Sequence, residues 1–387
     1  MRRFNQSILL ALCLINFAAC TKKSENSGGG ESAQNSTEIR IGQFGSLTGG
    51  EATFGLSTDK GVRLAIDAKN AAGGIKGKKI VLLTEDNQGK PEEAAAVVKK
   101  LITQDKVIAL IGEVASTRSL AAAPIAQQYK IPMVSPSSTN PKVTQVGDYI
   151  FRTCFIDPFQ GPVMARFTHD TLKFKKVAIL KDLKSDYSLG LAEFFDKKFK
   201  ELGGEIVSEQ TFQTGDSDFK GQLTRIRSTN PEAIFIPAYY TEVGLIARQA
   251  RQLGLKAVLL GGDGWDSPKL FEIGQDAVNG SYFSNHYAAE SNVPATQDFI
   301  KKYTAKFNET PDGLAAAGYD AMMILISAME KAPELTSAAI RDQLAAVKGY
   351  DGATGKITIN ANRNADKDAF IVKVEGKGLK FVTLLGP

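Results

Sequence analysis

Histidine occurs only twice in the 387 residues and cysteine only three times. His169 and His286 are far apart, and neither has another histidine or cysteine close by, which argues against a His-based metal site. Cys13 and Cys20 lie in the first 20 residues, so Cys154 is left alone. The folded body therefore has no intrachain disulfide available, and Cys154 reads as a small buried hydrophobe. Enzyme signatures are also missing. There is no G-x-S-x-G elbow. GGIKGKK at 73–79 resembles part of a phosphate loop, but Lys79 replaces the Ser/Thr and the glycine spacing is wrong. GSLTGG after the first expected strand does not have dinucleotide-loop spacing. No pair of carboxylates stands out for acid–base work. These absences favour a binding protein over an enzyme and imply no cofactor.

Charge of one sign is scarce as well. The formal charge is +5, and it falls to +3 once Arg2 and Arg3 are removed, leaving 45 basic against 42 acidic residues. No basic block carries interleaved aromatics, so nucleic acid is not an expected partner. No apolar run is long enough to span a bilayer. The run at 8–17 is ten residues, interrupted by Asn16. With Met1-Arg2-Arg3 before it and Ala18-Ala19-Cys20 after it, this run reads as a secretory signal. Cysteine directly after small residues resembles a bacterial lipobox, with Phe17 where leucine is usual. Cys20 is then the lipidation site and the mature N-terminus. Residues 20–37 are polar and rich in Gly and Ser, as a flexible tether would be.

The remaining chain is long enough for two domains. Strand and helix patterns alternate from residue 38: strands at 38–44, 79–84, 107–111 and 131–134, helices at 56–72, 91–104 and 117–129. This rhythm predicts a parallel sheet covered on both faces. It restarts after Phe151, with strands at 177–180, 205–212, 233–236 and 257–260 and helices at 189–202, 219–228 and 242–253. Three helical stretches follow, at 294–308, 314–331 and 337–347, and then a return to strands. The expected class is α/β, with two doubly wound Rossmann-like lobes and more than two crossings between them.

The stretch 131–141, IPMVSPSSTNP, organises the first half. A short apolar strand opens into five small polar residues, the place where open α/β sheets bind ligands. Other small polar and aromatic residues also fall just after strands: Phe54, Ser116, Ser137, Ser138, Thr139, Tyr187, Tyr239, Tyr240 and Asp263. Hydroxyls and strand-end N–H groups suit the carboxylate of a zwitterion, and a carboxylate on the facing lobe suits its ammonium. Each residue also has a structural reading: Asp263 as a helix N-cap in GGDGWDSP, Tyr239 as packing, and Phe54 as core.

From about Ile39 onward, the chain resembles the leucine/isoleucine/valine-binding protein family, periplasmic receptors of branched-chain amino-acid ABC importers with the type I two-lobed fold. The resemblance rests on the G-x-L-T-G loop followed by Phe54-Gly55, AAGGIKGKK, IGEVAS, IPMVSPSSTNP, DYSLGLAE, TFQTGDSDF, YYTEVGLIARQARQLGL and GGDGW. It implies that Ser116 and Ser137, Ser138 and Thr139 hold the ligand carboxylate and part of the ammonium, and that Asp263 pairs with the ammonium. The family usually has Glu there, so Asp shortens the reach by one methylene. Tyr187 and Tyr239 match second-lobe aromatics, Phe54 matches a first-lobe aromatic near the ligand side chain, and Trp265 is a candidate pocket wall. The implied lobes are 38–157 with 287–348, and 158–286 with 349–387, joined by a multi-strand hinge. The implied protein is a monomer, anchored through Cys20 in the periplasm or cell envelope. It closes on an amino acid, expected to be branched-chain or otherwise aliphatic, and is then recognised by a permease; the alternatives are a different small solute in the same fold, an amide or an aromatic acid, or a regulatory lipoprotein without a transport role.

Overall fold

The computed structural model describes residues 37–386, so the expected leader, Cys20 and residues 20–36 of the tether lie outside the described residues. The first lobe begins with β1 (Glu38–Gly45), α1 (Ala52–Ala71), β2 (Lys79–Asp86), α2 (Pro91–Thr103), β3 (Ala109–Ile111), α3 (Ser116–Gln128), β4 (Met133–Ser135), α4 (Lys142–Gln145) and β5 (Ile150–Arg152). The second lobe takes α5 (Asp157–Arg166), β6 (Lys176–Asp182), α6 (Asp186–Glu201), β7 (Glu205–Phe212), α7 (Lys220–Ser228), β8 (Ala233–Phe235), α8 (Tyr240–Gln252), β9 (Val258–Gly261), α9 (Pro268–Gly274) and β10 (Tyr282–Asn285). The chain then forms α10 (Pro294–Phe307), α11 (Gly313–Lys331), α12 (Ser337–Ala345), β11 (Tyr350–Gly352), β12 (Gly355–Ile359), β13 (Ala365–Asp366), β14 (Ala369–Glu375) and β15 (Gly378–Leu385).

Sequence explains most of these elements directly. In α2, Pro91 occupies a first-turn position, Glu92 and Glu93 follow it, and Ala94, Val98, Leu101 and Ile102 form the buried stripe. β3, β4 and β8 are short and buried throughout, as central parallel strands are. α5 and β10 are exceptions that the periodicity does not predict, and α5 shows why. It contains Pro158, Gly161 and Pro162 and buries several sides, so it has no amphipathic period to detect.

The first sheet is parallel, in the order β2-β1-β3-β4-β5. The second has the order β15-β14-β10-β9-β8-β6-β7, with β14 and β15 antiparallel at one side. α11 returns to the first lobe and packs on α1. Glycine is required at this crossing, because a Cβ on Gly61 would lie 2.0 Å from the Ala315 carbonyl oxygen. The chain crosses between lobes after β5, after β10 and after β13. Ile357, Ile359 and Ala365 belong to the first-lobe core, and the Arg152 amide donates to the Arg363 carbonyl. Residues 350–366 thus pack on the first lobe, and the third crossing lies between Asp366 and Ala369 rather than at 349. Among the described residues, no helix is long and apolar enough to cross a membrane.

Candidate functional site

In each lobe the strand order reverses beside the first strand: β2-β1-β3 in one and β7-β6-β8 in the other. Loops at such reversal points part at the carboxyl ends of the strands and leave a crevice. The two crevices face each other. Phe54 follows β1 and Ser116 follows β3. Tyr187 follows β6, Tyr239 follows β8 and Asp263 follows β9. Together with Val114, Ser137, Gly264 and Leu314, these five line one cavity between the lobes.

The first-lobe side is built on the loop after β4. Ser135 donates to the Glu113 carbonyl at 2.6 Å and accepts from the Ser138 amide at 2.9 Å. Buried Arg152 donates to the carbonyls of Ser138 and Asn140 from behind. This bracing fixes which hydroxyls face the cavity. Ser137 does. Ser138 does not: its hydroxyl meets the Glu113 and Val114 carbonyls at 2.8 and 2.9 Å and the Ser119 hydroxyl at 2.7 Å. Ser138 is therefore a brace and not a direct side-chain contact, which corrects the expectation from sequence. The Thr139 hydroxyl is buried and has no aligned partner. Ser116 opens α3 and accepts from the Asn140 amide at 3.1 Å. A helix start with unpaired N–H groups favours an anion such as a carboxylate.

Across the cavity, Asp263 is held on three sides. Gln160 Nε2 donates to one carboxylate oxygen at 2.8 Å. His286 Nε2 lies 3.0 Å from the other, and the Ser137 hydroxyl reaches that oxygen from the first lobe at 3.4 Å. Asp263 does not act as a helix cap; Gly262 precedes the short turn it opens. Burial holds the His286 imidazole below its usual pKa, against the pull of Asp263. It is thus neutral at pH 7, with its proton assigned to Nε2 by this network. Tyr187 and Tyr239 stack with centroids 5.3 Å apart, and Phe54 meets Tyr239 edge-on at 5.4 Å. The Tyr187 hydroxyl accepts from the Gly264 amide at 3.2 Å. Burial raises both phenol pKa values, so the cage is neutral. Phe54, Val114 and Leu314 also belong to the apolar cluster of the second lobe, so Phe54 is a core residue that also lines the cavity.

Trp265 is not on the cavity wall. It is fully buried, donates from its indole N–H to the Ile236 carbonyl at 2.9 Å and leans on Phe283. That corrects the pocket-wall expectation. Sequence reasoning missed Val114, Leu314, Gln160 and the role of His286. A search for metal-ligand spacing has no way to recognise a histidine that serves a carboxylate. Cys154 is buried, and burial pushes its thiol up to about 12, which leaves it inert at neutral pH.

The lobes are closed on each other. Thr53 Oγ1 and Ser267 Oγ lie 2.8 Å apart, the Asp186 amide donates to Thr117 Oγ1 at 2.9 Å, and Asn140 Nδ2 donates to the Asp186 carbonyl at 2.8 Å. The space inside the aromatic cage is about 10 Å³. That is room for about one water. A branched side chain therefore enters only when the lobes part or the cage rings turn aside.

Asp157 starts α5 beneath Thr139, and neither of its carboxylate oxygens has an aligned donor. Burial pushes its pKa up to about 8; the Thr139 hydroxyl opposes this and the Asp263 charge adds to it. A carboxyl raised above its unfolded value of about 3.9 contributes stability that is complete at low pH and is lost as pH rises towards 8. We expect Asp157→Asn, in ligand-free protein, to melt higher than wild type at pH 8, with the gain shrinking by pH 5. A melting series across that range checks this, and a gain unchanged with pH contradicts it.

Two doubly wound lobes that close over strand-end loops define the type I periplasmic binding fold. A family model described as periplasmic binding protein matches residues 38–379, and the chain belongs to that family. The leucine-binding protein LivK of Thermotoga maritima is similar in structure, with TM-score 0.87 and 41% identity over 90% of this chain and 99% of that one. LivJ of Streptococcus pneumoniae, solved with isoleucine, has TM-score 0.86 and 34% identity over 90% of this chain and 100% of the other. In sequence, Leu/Ile/Val-binding protein homolog 3 of Brucella melitensis is 31% identical over 86% of this chain and 90% of its own length. A Rhodopseudomonas palustris solute-binding protein, solved with 3,4-dihydroxybenzoic acid, has TM-score 0.80 and 26% identity over 91% of this chain and 97% of that one.

Proposed function

We propose that this protein is an extracytoplasmic receptor that captures a branched-chain or other aliphatic amino acid by lobe closure and delivers it to the permease of an ABC importer. The observation that carries this reading is the pairing of Ser116, Ser137 and the α3 N-terminus on one lobe with Asp263 on the other. A zwitterion bridging those halves favours the closed form, because only that form offers both contacts. The neutral aromatic cage with Leu314 suits an aliphatic side chain. The leucine- and isoleucine-binding relatives support the same solute class. An aromatic acid has no ammonium and gives Asp263 nothing to pair with, so the site favours an amino acid. In this reading the ligand is carried, not transformed. The protein acts as a monomer held in the periplasm or cell envelope through Cys20. A thermal-shift screen tests it: leucine, isoleucine or valine at a thousand-fold excess over its dissociation constant should stabilise the chain by about 4 kcal/mol. No shift with any amino acid would remove the assignment.

A further inference from the structure

A second, larger cavity lies between the lobes, outside the aromatic cage. It holds about 610 Å³, a size typical of small-molecule sites. Its first-lobe wall includes Leu56, Ser57 and Asp312, and its second-lobe wall includes Asp266, Phe271 and Phe381. Two carboxylates converge on it. Asp266 accepts from Asn285 at 2.8 Å and from the Gly313 amide at 2.7 Å. Asp312 accepts from Ser57 at 2.6 Å and caps α11 through the Ala315 amide. An independent feature also points to an occupant. Tyr287 lines the cavity and is 4% exposed. Its hydroxyl has no hydrogen-bond partner and lies within the influence of both carboxylates. Buried hydroxyls are normally satisfied.

The lining has four carboxylates (Asp266, Asp312, Glu290 and Glu309) against two lysines, Lys60 and Lys377, and Lys60 is already paired with Glu309. Among the described residues, no group of three histidine, cysteine or carboxylate donors is arranged to hold a metal ion. The rest of the lining mixes apolar residues, among them Leu56, Phe271 and Phe381, with the polar Thr53, Asn285 and Thr310. We propose that this cavity binds a small organic cation, a primary amine on an apolar body, with its ammonium at Asp266, Asp312 and the Tyr287 hydroxyl. Because both lobes contribute to the site, its occupant favours closure and strengthens amino-acid binding. Linkage requires leucine to strengthen amine binding by the same factor. Burial and the neighbouring Asp266 charge push Asp312 up to about 7, so amine affinity falls as pH drops below that value.

The test is calorimetric titration of the full chain with hexylamine and 2-phenylethylamine, with and without saturating leucine. Hexan-1-ol and hexanoate serve as uncharged and anionic controls. The expected result is saturable binding of both amines without displacement of leucine, and equal mutual strengthening of the two affinities. Asp312→Asn should weaken the amines roughly tenfold or more while leucine alone binds as before. Tyr287→Phe keeps the packing and should weaken them by a smaller factor with an unchanged melting temperature. Hexan-1-ol binding as well as hexylamine, competition between amine and leucine, or no amine binding would each overturn the proposal. Failure of leucine alone would count against the receptor reading; the amine titration without leucine would still test the cavity.

Discussion

Asp263→Asn should abolish high-affinity amino-acid binding while leaving the fold intact. Asp263 is 4% exposed, and its carboxylate is already oriented by Gln160 and His286. Its negative charge is the one feature of the cavity lining that selects an ammonium. Truncating one partner of a buried charged pair costs about 2–5 kcal/mol, roughly 30-fold to several thousand-fold in affinity. Asn keeps the shape and can still accept from Gln160, so the loss should appear in binding and not in melting temperature. The carboxylate end of the ligand meets Ser116, Ser137 and the start of α3, none of which is changed. Ligands without an ammonium should therefore lose little. Equal affinity of wild type and Asp263→Asn for leucine, measured by titration, would show that the ammonium lies elsewhere.

Trp265→Ala should behave in the opposite way. The indole is fully buried, lies 2.1 Å from where a Cβ on Gly261 would be, and packs against Phe283. Removing a buried aromatic costs about 3–5 kcal/mol, a large part of a typical stability of about 5–15 kcal/mol. The Ile236 carbonyl keeps the Ala238 amide at 2.9 Å, so losing the indole donor does not leave it unpaired. Melting should fall by roughly 6–20 °C, while the folded variant binds the same ligands in the same order. Changed ligand selectivity with unchanged stability would restore Trp265 to the pocket wall.

The contrast between these two neighbours shows where sequence reading works. The loops at the carboxyl ends of β1, β3, β6, β8 and β9 follow from the alternation of strand and helix, and so does the placement of Phe54, Ser116, Tyr187, Tyr239 and Asp263 between the lobes. Side-chain direction inside a loop does not follow. Ser137 and Ser138 are adjacent and chemically identical, yet a brace from Ser135 and Arg152 turns one outward and the other inward. Asp263 and Trp265 share one short turn and face different environments. Gln160 and His286 reach Asp263 from 103 and 23 residues away, through α5 and β10, neither of which the sequence periodicity predicts. The late third crossing has a similar origin. The strands at 350–366 alternate like those that follow, and only the burial of Ile357, Ile359 and Ala365 against first-lobe residues assigns them.

In the proposed function the cleft takes a zwitterionic aliphatic amino acid. Calorimetric titration of leucine into the full chain, first freed of carried-over ligand by unfolding and refolding, tests it most directly. The expected result is saturable binding at one site per chain, lost in Asp263→Asn. Absence of heat with leucine, isoleucine, valine and every other amino acid, from refolded protein with native melting behaviour, would contradict it.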